Sequence, residues 1–380
     1  MRSLSLSDDK LYCLASEYCT DVLRASQVIP VNAELMNSID PNKLPILDGV
    51  ERKEDMSNME YLYEAVWAKK WDYDVLLKLC NAVFVDRGTA VTGGVANADI
   101  TDVLGFGVTT NSFASCSLGI LYSSGVEILT KQFLTAEAKS EAEAKGLGDC
   151  IAGDYLITYP ETNSELTALA NTLNRFFTKG ATQGVALGDR FELRSSFASG
   201  DLLFGSVICL GELEDESYQG LRVGEGFGIV PVPVYKVGNE YNTVVHGGAN
   251  ILAIARATDR FEQVSAFLDY QSRNSSNILE LYCEIMCSQI IDQAENDYNA
   301  LMFRYISSRI GGSLDTTYDY LLEGLFNSDV IAGDNPVLEW EKYLIEKKYQ
   351  ITDMDTVYRN KIAGRSEYLK LVIETWNRLR

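Results

Sequence analysis

Apolar residues recur at helical spacing in several separate stretches of the chain. The clearest stretch begins at Asp72, a residue type that caps helices, and places Val75 and Leu79 on one face. Thr162 and Glu165 have the spacing of a capping box before another amphipathic stretch. In chain order, the pattern predicts helices over Glu60–Ala68, Asp72–Val83, from Ala114, Glu137–Gly148 (helix or loop), Thr162–Phe177, Gly188–Ser199, Asp259–Tyr270, Asn277–Ile310, from Asn335, and Gly364–Leu379.

Shorter apolar or alternating runs lie between these stretches and predict strands. They are Lys10–Val31, a run from Leu104, Asp154–Tyr159 and Thr243–Ala255. Asn37–Asn58 and Asp86–Asp102 have the composition of loops. Strands that alternate with helices in this way are typical of a sheet covered by helices, so the pattern predicts an α/β protein.

The stretch from Phe197 to Tyr241 is the most informative part of the pattern. Gly200 closes a helix, and an apolar run too short to span a membrane follows. A second β-type run, Phe227–Tyr235, contains Pro231 and Pro233. Proline cannot donate a ladder hydrogen bond, so this run is predicted to be an edge strand, or a strand that leaves the sheet to connect two lobes.

The length and the net charge of the chain limit its domain organisation and the kinds of partner it can bind. A chain of 380 residues exceeds what one hydrophobic core usually serves, which predicts two lobes. The net charge of −21 makes nucleic acid and anionic membranes poor partners. No apolar run approaches the roughly 18 residues of a membrane span. The residues after Met1 do not have the pattern of a signal peptide.

The residue types that hold metals or act as nucleophiles are sparse or scattered. Eight cysteines do not form a dense disulfide framework, and the pair Cys283 and Cys287 has no second pair to complete a zinc site. His246 is the single histidine, and no hydrolase or phosphate-loop motif accompanies it. The segment DRGTAVTGGVAN, which begins at Asp86, lacks the oxygen ligands of a calcium loop. We therefore predict no metal and no cofactor.

One order of residues resembles a known family. The residues that match the family are Phe197, Gly200, Leu203, Phe204, Phe227, Gly228, Ile229, Pro231, Pro233, Tyr235 and Tyr241. Three further segments match in the order that the family has them: DKLYCLASEYCTDVLRASQVIPVN, AKKWDYDVLLKLC and DITDVLGFG. This order resembles the extracellular solute-binding proteins of ABC importers, in the sugar-type family related to maltose-binding protein. Trp71 matches a family landmark, although Asp72 follows it where the family usually has threonine; we expect Trp71 to be a packing anchor.

The resemblance implies a periplasmic-binding-protein-like (type II) two-lobe α/β fold, with one nearly complete lobe and one incomplete lobe. Residues 1–20 would be a remnant of the first lobe and the first crossing, and residues 21–226 the second lobe. Residues 227–310 would hold a hinge strand and the remaining first-lobe material, and residues 311–380 would return to the second lobe. The family's usual signal peptide, often with a lipidated cysteine, and most of its first lobe are expected to be lacking.

The implied function is capture of a small solute, a carbohydrate by family likeness, in a cleft between lobes that close about a hinge. Delivery to the transmembrane subunits of an ABC permease would follow, from an extracellular, cell-surface or periplasmic location. The protein would be a monomer and would not be an enzyme. By position along the family pattern, the residues predicted to bind ligand are Glu17, Tyr18, Asp21, Asn111, Phe113, Ser206, Glu212 and Tyr241, the pair Asn111 and Phe113 lying in a small-residue loop that begins at Thr109.

Two alternatives stay open at this point. The first is an interaction or regulatory protein that keeps the fold but no longer takes part in transport. The second is a glycoside hydrolase that uses two carboxylates, such as Glu212 and Glu225, which would have to face each other at ~5–10 Å across a cleft.

Overall fold

A computed structural model of the chain describes residues 20–87, 95–97, 102–109, 116–126, 129–177, 185–215, 218, 226–246, 249–250, 252–255, 257–286, 296–310 and 354–379. The helices are α1 Asp21–Arg24, α2 Ala33–Ser38, α3 Asn58–Trp67, α4 Tyr73–Val83, α5 Cys116–Ser123, α6 Ala136–Ala144, α7 Ser164–Phe177, α8 Arg190–Ala198, α9 Phe261–Arg273, α10 Ser276–Ile285, α11 Asn296–Ser308 and α12 Met354–Leu379. The strands are β1 Gln27–Asn32, β2 Val95–Asn97, β3 Leu104–Thr109, β4 Thr130–Phe133, β5 Ile151–Ala152, β6 Tyr155–Thr158, β7 Val185–Gly188, β8 Leu202–Phe204, β9 Ile208–Cys209 and β10 Phe227–Val230.

Seven of the described strands form the main sheet, in the order β10-β1-β8-β3-β7-β2, with β9 paired to β1. The pairs β2 with β7, β7 with β3 and β3 with β8 are parallel, and β1 runs antiparallel to β8 and β10. Every residue of β1 and β3 is buried, as is typical of strands covered on both faces. The α/β class predicted from the sequence is confirmed.

The order of the strands creates a switch point in the middle of the sheet. From β3 the chain leads to β7 on one side, whereas from β8 it leads to β9 and β10 on the other side. Connections that diverge in this way leave a crevice between the carboxyl ends of the two strands, which is where open α/β sheets bind ligands. The crevice predicted by this topology lies beyond Thr109 of β3 and Phe204 of β8.

A second, smaller sheet holds β4, β6 and β5 in that order, all antiparallel. Helix α12 covers it with Leu369, Val372 and Ile373, which pack against Leu129 and Ile157. The sequence pattern predicts the burial of this helical stripe correctly, but it misses strands β4 and β5. They are short, and β4 has two exposed residues in four, so neither gives a hydrophobic run.

The main core is one continuous cluster that extends from β1 to α11 and α12. It includes Trp71, Phe204, Phe303 and Tyr358, all almost completely buried. The Nε1–H of Trp71 donates to the carbonyl of Pro231 at 2.8 Å, and its ring lies 5.5 Å from that of Phe204. The expected role of Trp71 as a packing anchor is confirmed. The predicted division into 1–20, 21–226, 227–310 and 311–380 stays a prediction.

Three of the helix ends for which the sequence predicts a capping or closing residue can be compared with the structure. Asp72 accepts a hydrogen bond from the Val75 N–H at 2.9 Å and caps α4, as predicted. Gly200 has φ +77°, a value that glycine adopts without strain, and it follows the end of α8. The capping box predicted at Thr162 is wrong, because Asn163 Oδ1 accepts the Leu166 N–H at 3.0 Å. An asparagine directly before the helix suits the cap position equally well.

The proline-containing run also behaves as expected, since β10 is the edge strand of the described sheet and ends before Pro231. Two other predicted strands differ from the structure. The run Lys10–Val31 contains α1 before β1, and the described part of Thr243–Ala255 makes isolated bridges, at Thr243, Val245 and Leu252. Strands β2 and β7 were not predicted; the first falls in the predicted Asp86–Asp102 loop.

Candidate functional site

A cleft lies at the switch point between β3 and β8. Residues from β3, α8 and the segment after β8 surround it, and they leave a cavity of about 10 Å³, room for about one water molecule, that is partly open to solvent. Its polar lining residues are Thr109, Arg190, Arg194, Ser206, Glu212 and Tyr218, and its apolar lining residues are Leu193, Phe197, Gly205 and Ile208.

Helix α8 supplies one whole wall of this cleft. Arg190, Leu193, Arg194 and Phe197 have the spacing i, i+3, i+4 and i+7, which places them on one face of a helix. The helix begins directly after β7, because Asp189 accepts hydrogen bonds from the backbone N–H groups of its first turn. The two arginines therefore reach the carboxyl edge of the sheet from a rigid element.

The floor of the cleft brings together two hydroxyl groups, one at the end of β3 and one two residues after the neighbouring parallel strand β8. Ser206 Oγ and Thr109 Oγ1 are 2.6 Å apart, and both residues are buried. Gly205 precedes Ser206, and a Cβ at this glycine would lie 2.6 Å from Cγ of Pro30 on β1. The absence of a side chain at Gly205 thus lets β8 run close to β1 and positions Ser206 under the cleft.

A largely buried ion-pair network joins Arg194 of α8 to the segment after β9. Arg194 donates to Glu212 Oε2 at 3.1 Å, and its other terminal nitrogen lies 2.7 Å from Asp215 Oδ2. Glu212 Oε1 accepts the backbone N–H of Cys209 at 3.2 Å. The Arg194 side chain is only 8% exposed, so this pair is largely removed from water. Removing one of two such buried charges leaves the other without a counter-charge, which is strongly destabilising.

Burial controls the titration of the groups around this network. It raises the pKa of the Tyr218 hydroxyl, an effect that the nearby Arg194 opposes. It also raises the pKa of the Cys209 thiol to about 12, with a further contribution from the carboxylate of Glu212. Both groups are therefore neutral at physiological pH. Tyr218 is available as a hydrogen-bonding phenol, and Cys209 is not a thiolate nucleophile.

Of the eight residues predicted to bind ligand, the structure brings Ser206 and Glu212 together in this cleft. Asp21 lies in α1, 3.8 Å from Arg24 and hydrogen-bonded to Asn250, and it does not line the cleft. Glu17, Tyr18, Asn111 and Phe113 lie outside the described residues, although Thr109, the first residue of the predicted small-residue loop, lines the cleft.

Tyr241 is placed in the core. Its side chain is 2% exposed, its hydroxyl accepts the Trp71 N–H at 2.9 Å, and its ring meets that of Tyr305 edge to face. It is absent from the lining of the cleft. Its ligand-binding role stays a prediction, and the contacts present in this structure are those of a structural tyrosine.

Sequence reasoning missed Arg190, Arg194 and Tyr218. A signal for the arginines was present, because the helix predicted over Gly188–Ser199 places both on one face with Leu193 and Phe197. Charged residues on an otherwise apolar helix face are commonly functional or paired. Tyr218 follows an acidic loop and carried no local signal.

The carboxylate pair considered for a hydrolase stays a prediction. Glu212 has both oxygens occupied, by Arg194 and by the Cys209 N–H. Glu225 lies outside the described residues. Within the described ranges, no group of three or more histidine, cysteine, aspartate or glutamate side chains could hold a metal ion. None of the helices in that part of the chain has the length and apolar character needed to cross a bilayer.

No protein-family model and no curated protein matches this chain. Among solved structures, a match is the crystal structure of a protein provisionally described as binding protein msme of Bacillus subtilis subsp. subtilis str. 168, in an open conformation. The two sequences are 12% identical, and the match covers 96% of this chain and 75% of that chain with a TM-score of 0.44. At this identity and TM-score, the likeness assigns neither a function nor a ligand to the present chain.

Proposed function

We propose that this chain is a solute-binding protein that captures a small polar solute of the carbohydrate class in the cleft beside α8. The observation that carries this proposal is the cleft at the switch point, where hydroxyl, guanidinium, carboxylate and phenol groups converge above apolar walls. A concave apolar site with a few convergent polar groups is the usual form of a small-molecule site.

The chemistry of the lining suits a ligand with many hydroxyl groups. Ser206, Thr109 and Tyr218 can each donate and accept a hydrogen bond, whereas Arg190 and Arg194 can only donate. A sugar hydroxyl also does both, so it can bridge such groups. Phe197 and Tyr218 are almost completely buried behind these groups, and their ring centres lie 5.9 Å apart.

The wider role follows from the resemblance of the sequence to importer binding proteins. In this role the protein acts as a monomer outside the cytoplasm, closes over its solute and presents it to the transmembrane subunits of a permease. Catalysis is not part of the proposal, because both oxygens of Glu212 are engaged and no second carboxylate lines the described cleft.

A titration of the purified chain tests the binding role. Neutral sugars, sugar acids, amino acids and short peptides are screened by thermal shift, and each hit is titrated by calorimetry. A ligand that binds only the folded state at 100 times its Kd stabilises it by about 2.7 kcal/mol, which raises the melting temperature. Ser206→Ala is expected to weaken binding about tenfold, because it removes one hydrogen-bonding hydroxyl.

Ser199→Ala is the matched control, since Ser199 is exposed at the far end of α8. It should leave the affinity unchanged. Circular dichroism checks that both variants fold. Absence of binding across the whole panel, or equal affinities for the two serine variants, would contradict the proposed site.

The interaction-protein alternative is favoured by a different surface. Helix α9 has no buried residue, and Phe261, Phe267 and Tyr270 are each more than half exposed. Exposed aromatic residues on one helix are typical of contact surfaces. If the solute screen is negative, this helix is the part of the described chain to test for a protein partner.

A further inference from the structure

The charged side chains that line the cleft differ in whether they have an ion-pair partner. Arg194 is held by Glu212 at 3.1 Å and by Asp215 at 2.7 Å. Glu212 in turn is held by Arg194 and by the Cys209 N–H. These three side chains form a closed network in which each charge already has a partner.

Arg190 lies on the same face of α8, one helical turn before Arg194, and it also lines the cleft. It is half-buried, and its guanidinium lies 4.6 Å from the ring centre of Phe191. Among the described residues, no carboxylate lies within ion-pair distance of Arg190, the limit being 4.0 Å. A guanidinium that rests on an aromatic ring keeps N–H donors at its edge for a planar acceptor.

Among the described charges of the lining, Arg190 is therefore the one without an ion-pair partner. The described residues around the cleft carry two guanidinium groups, Arg190 and Arg194, and two carboxylates, Glu212 and Asp215, both of which pair with Arg194. A neutral ligand that filled the cleft would remove water from Arg190 without supplying a counter-charge, which is unfavourable. A ligand with an anionic group would supply it.

We propose that the cleft selects solutes that carry an oxyanion, and that Arg190 is the residue that binds this group. The proposal rests on the binding role proposed above and specifies the class of solute. Arginine binds carboxylate and phosphate oxygens in the same forked geometry, so an acidic sugar and a sugar phosphate share the required chemistry. Ser206, Thr109 and Tyr218 then face the neutral hydroxyl groups of the same solute.

Calorimetric titration of four related ligands tests this selectivity. Glucuronate and glucose 6-phosphate carry the oxyanion, whereas glucuronamide and glucose are their neutral counterparts. At least one anionic ligand is expected to bind about 10- to 100-fold more tightly than its counterpart, since hydrogen bonds to charged groups are the stronger ones. The preference should decrease as salt is raised, because Arg190 is only half-buried.

Arg190→Met is expected to abolish this preference, so that the anionic ligands and their neutral counterparts bind to it with equal affinity. Arg190→Lys should restore part of it, because lysine supplies the charge without the forked donors. Arg273→Met is the matched control: Arg273 is 76% exposed on α9 and pairs with Asp269, so its loss should not change any affinity. Circular dichroism and the melting temperature verify the fold of each variant.

The outcomes separate the two proposals. Tighter binding of glucuronate alone supports a carboxylate ligand, and tighter binding of glucose 6-phosphate alone supports a phosphate ligand. Equal affinities for anionic and neutral ligands overturn the oxyanion proposal but leave the solute-binding role standing. A preference that survives in Arg190→Met overturns the assignment to Arg190. No binding of any of the four ligands overturns the oxyanion proposal, and the broader screen then decides the solute-binding role.

Discussion

Arg194 differs from the other arginines around the cleft in how far it is removed from water. Its side chain is 8% exposed, that of Glu212 16% and that of Asp215 48%. Removing one partner of a buried ion pair leaves an uncompensated charge, whereas an exposed partner is replaced by water. The stability of this wall of the cleft should therefore depend on the pairing of Arg194 with Glu212 far more than on Asp215.

Replacing Arg194 by methionine is expected to lower the free energy of unfolding by about 3 kcal/mol, the low end of the range for a broken buried pair, because Glu212 keeps some contact with water. Urea denaturation followed by circular dichroism measures the change. Addition of Glu212→Gln to this variant should recover part of the loss, since the unpaired charge is then gone. Asp215→Ala should cost less than about 1 kcal/mol; equal effects of Arg194→Met and Asp215→Ala would argue against the network.

At the level of single residues, the sequence was informative where function depends on local chemistry. Asp72 and Gly200 were assigned correctly because capping and positive φ depend on the residue and its immediate neighbours. Ser206 and Glu212 were placed by position along a family pattern, and the structure puts both in one cleft. Tyr241, chosen in the same way, lies in the core, because an aromatic residue after a strand has no local feature that separates a ligand platform from a packing residue.

At the level of elements, α4 shows a conflict between capping and burial. The carboxylate of Asp72 accepts the Val75 N–H and favours the helix start, but the residue is only 8% exposed. Burial raises the pKa of this carboxyl group and outweighs the opposing backbone hydrogen bonds. The helix therefore needs the cap oxygen of residue 72, while the negative charge on it is unfavourable.

Asp72→Asn should separate these two effects, with Asp72→Ala as the comparison. Alanine removes the cap and is expected to cost about 1 kcal/mol in the free energy of unfolding. Asparagine keeps an oxygen without the charge and should cost less. A raised pKa in the folded state adds stability below the unfolded value of ~3.9, and this stability is lost as the pH rises through the folded value.

The wild-type protein should consequently lose stability relative to Asp72→Asn as the pH is raised from acidic values to pH 7. Urea denaturation of both proteins over this range gives the difference directly, and other titrating groups cancel in the comparison. A difference that does not change with pH would show that burial of the charge has no effect on the stability of the fold.

At the level of the whole molecule, the described core does not stop at the end of the sheet. Phe303 of α11 is 1% exposed and belongs to the same cluster as Trp71 and Phe204. The hydroxyl of Tyr282 on α10 donates to Glu214 at 2.9 Å, and Glu214 makes two 2.9 Å hydrogen bonds with Arg24. Helix α11 thus packs into the same core as the sheet, and α10 is bound by polar contacts to α1 and to the segment after β9.

If this core unfolds as one unit, Phe303→Ala should lower the free energy of unfolding by about 3–5 kcal/mol, as expected for loss of a large buried side chain. Tryptophan fluorescence and circular dichroism should then report one shared transition. Phe267→Ala is the control, because Phe267 is 57% exposed on α9, and its effect should stay within about 0.5 kcal/mol. Two separate transitions, with only one shifted by Phe303→Ala, would instead support the division into lobes predicted from the sequence.

The sequence alone was sufficient for the α/β class and for most of the helices, and it limited the proline-containing strand to a sheet edge or a connection between lobes. These features depend on residues within a few positions of each other, so the apolar period and the capping residues are enough to recognise them. Short strands such as β4 and β5 escaped because they bury too few residues to produce a period.

The cleft arises only when distant parts of the chain meet. Thr109 and Ser206 are 97 positions apart and come within 2.6 Å because β3 and β8 are neighbours in the sheet, although β7 separates them in the sequence. Arg194 and Glu212 meet because α8 crosses to that same edge. Such pairings are set by the lowest free energy of the whole packed sheet, and no local pattern of residues contains that information.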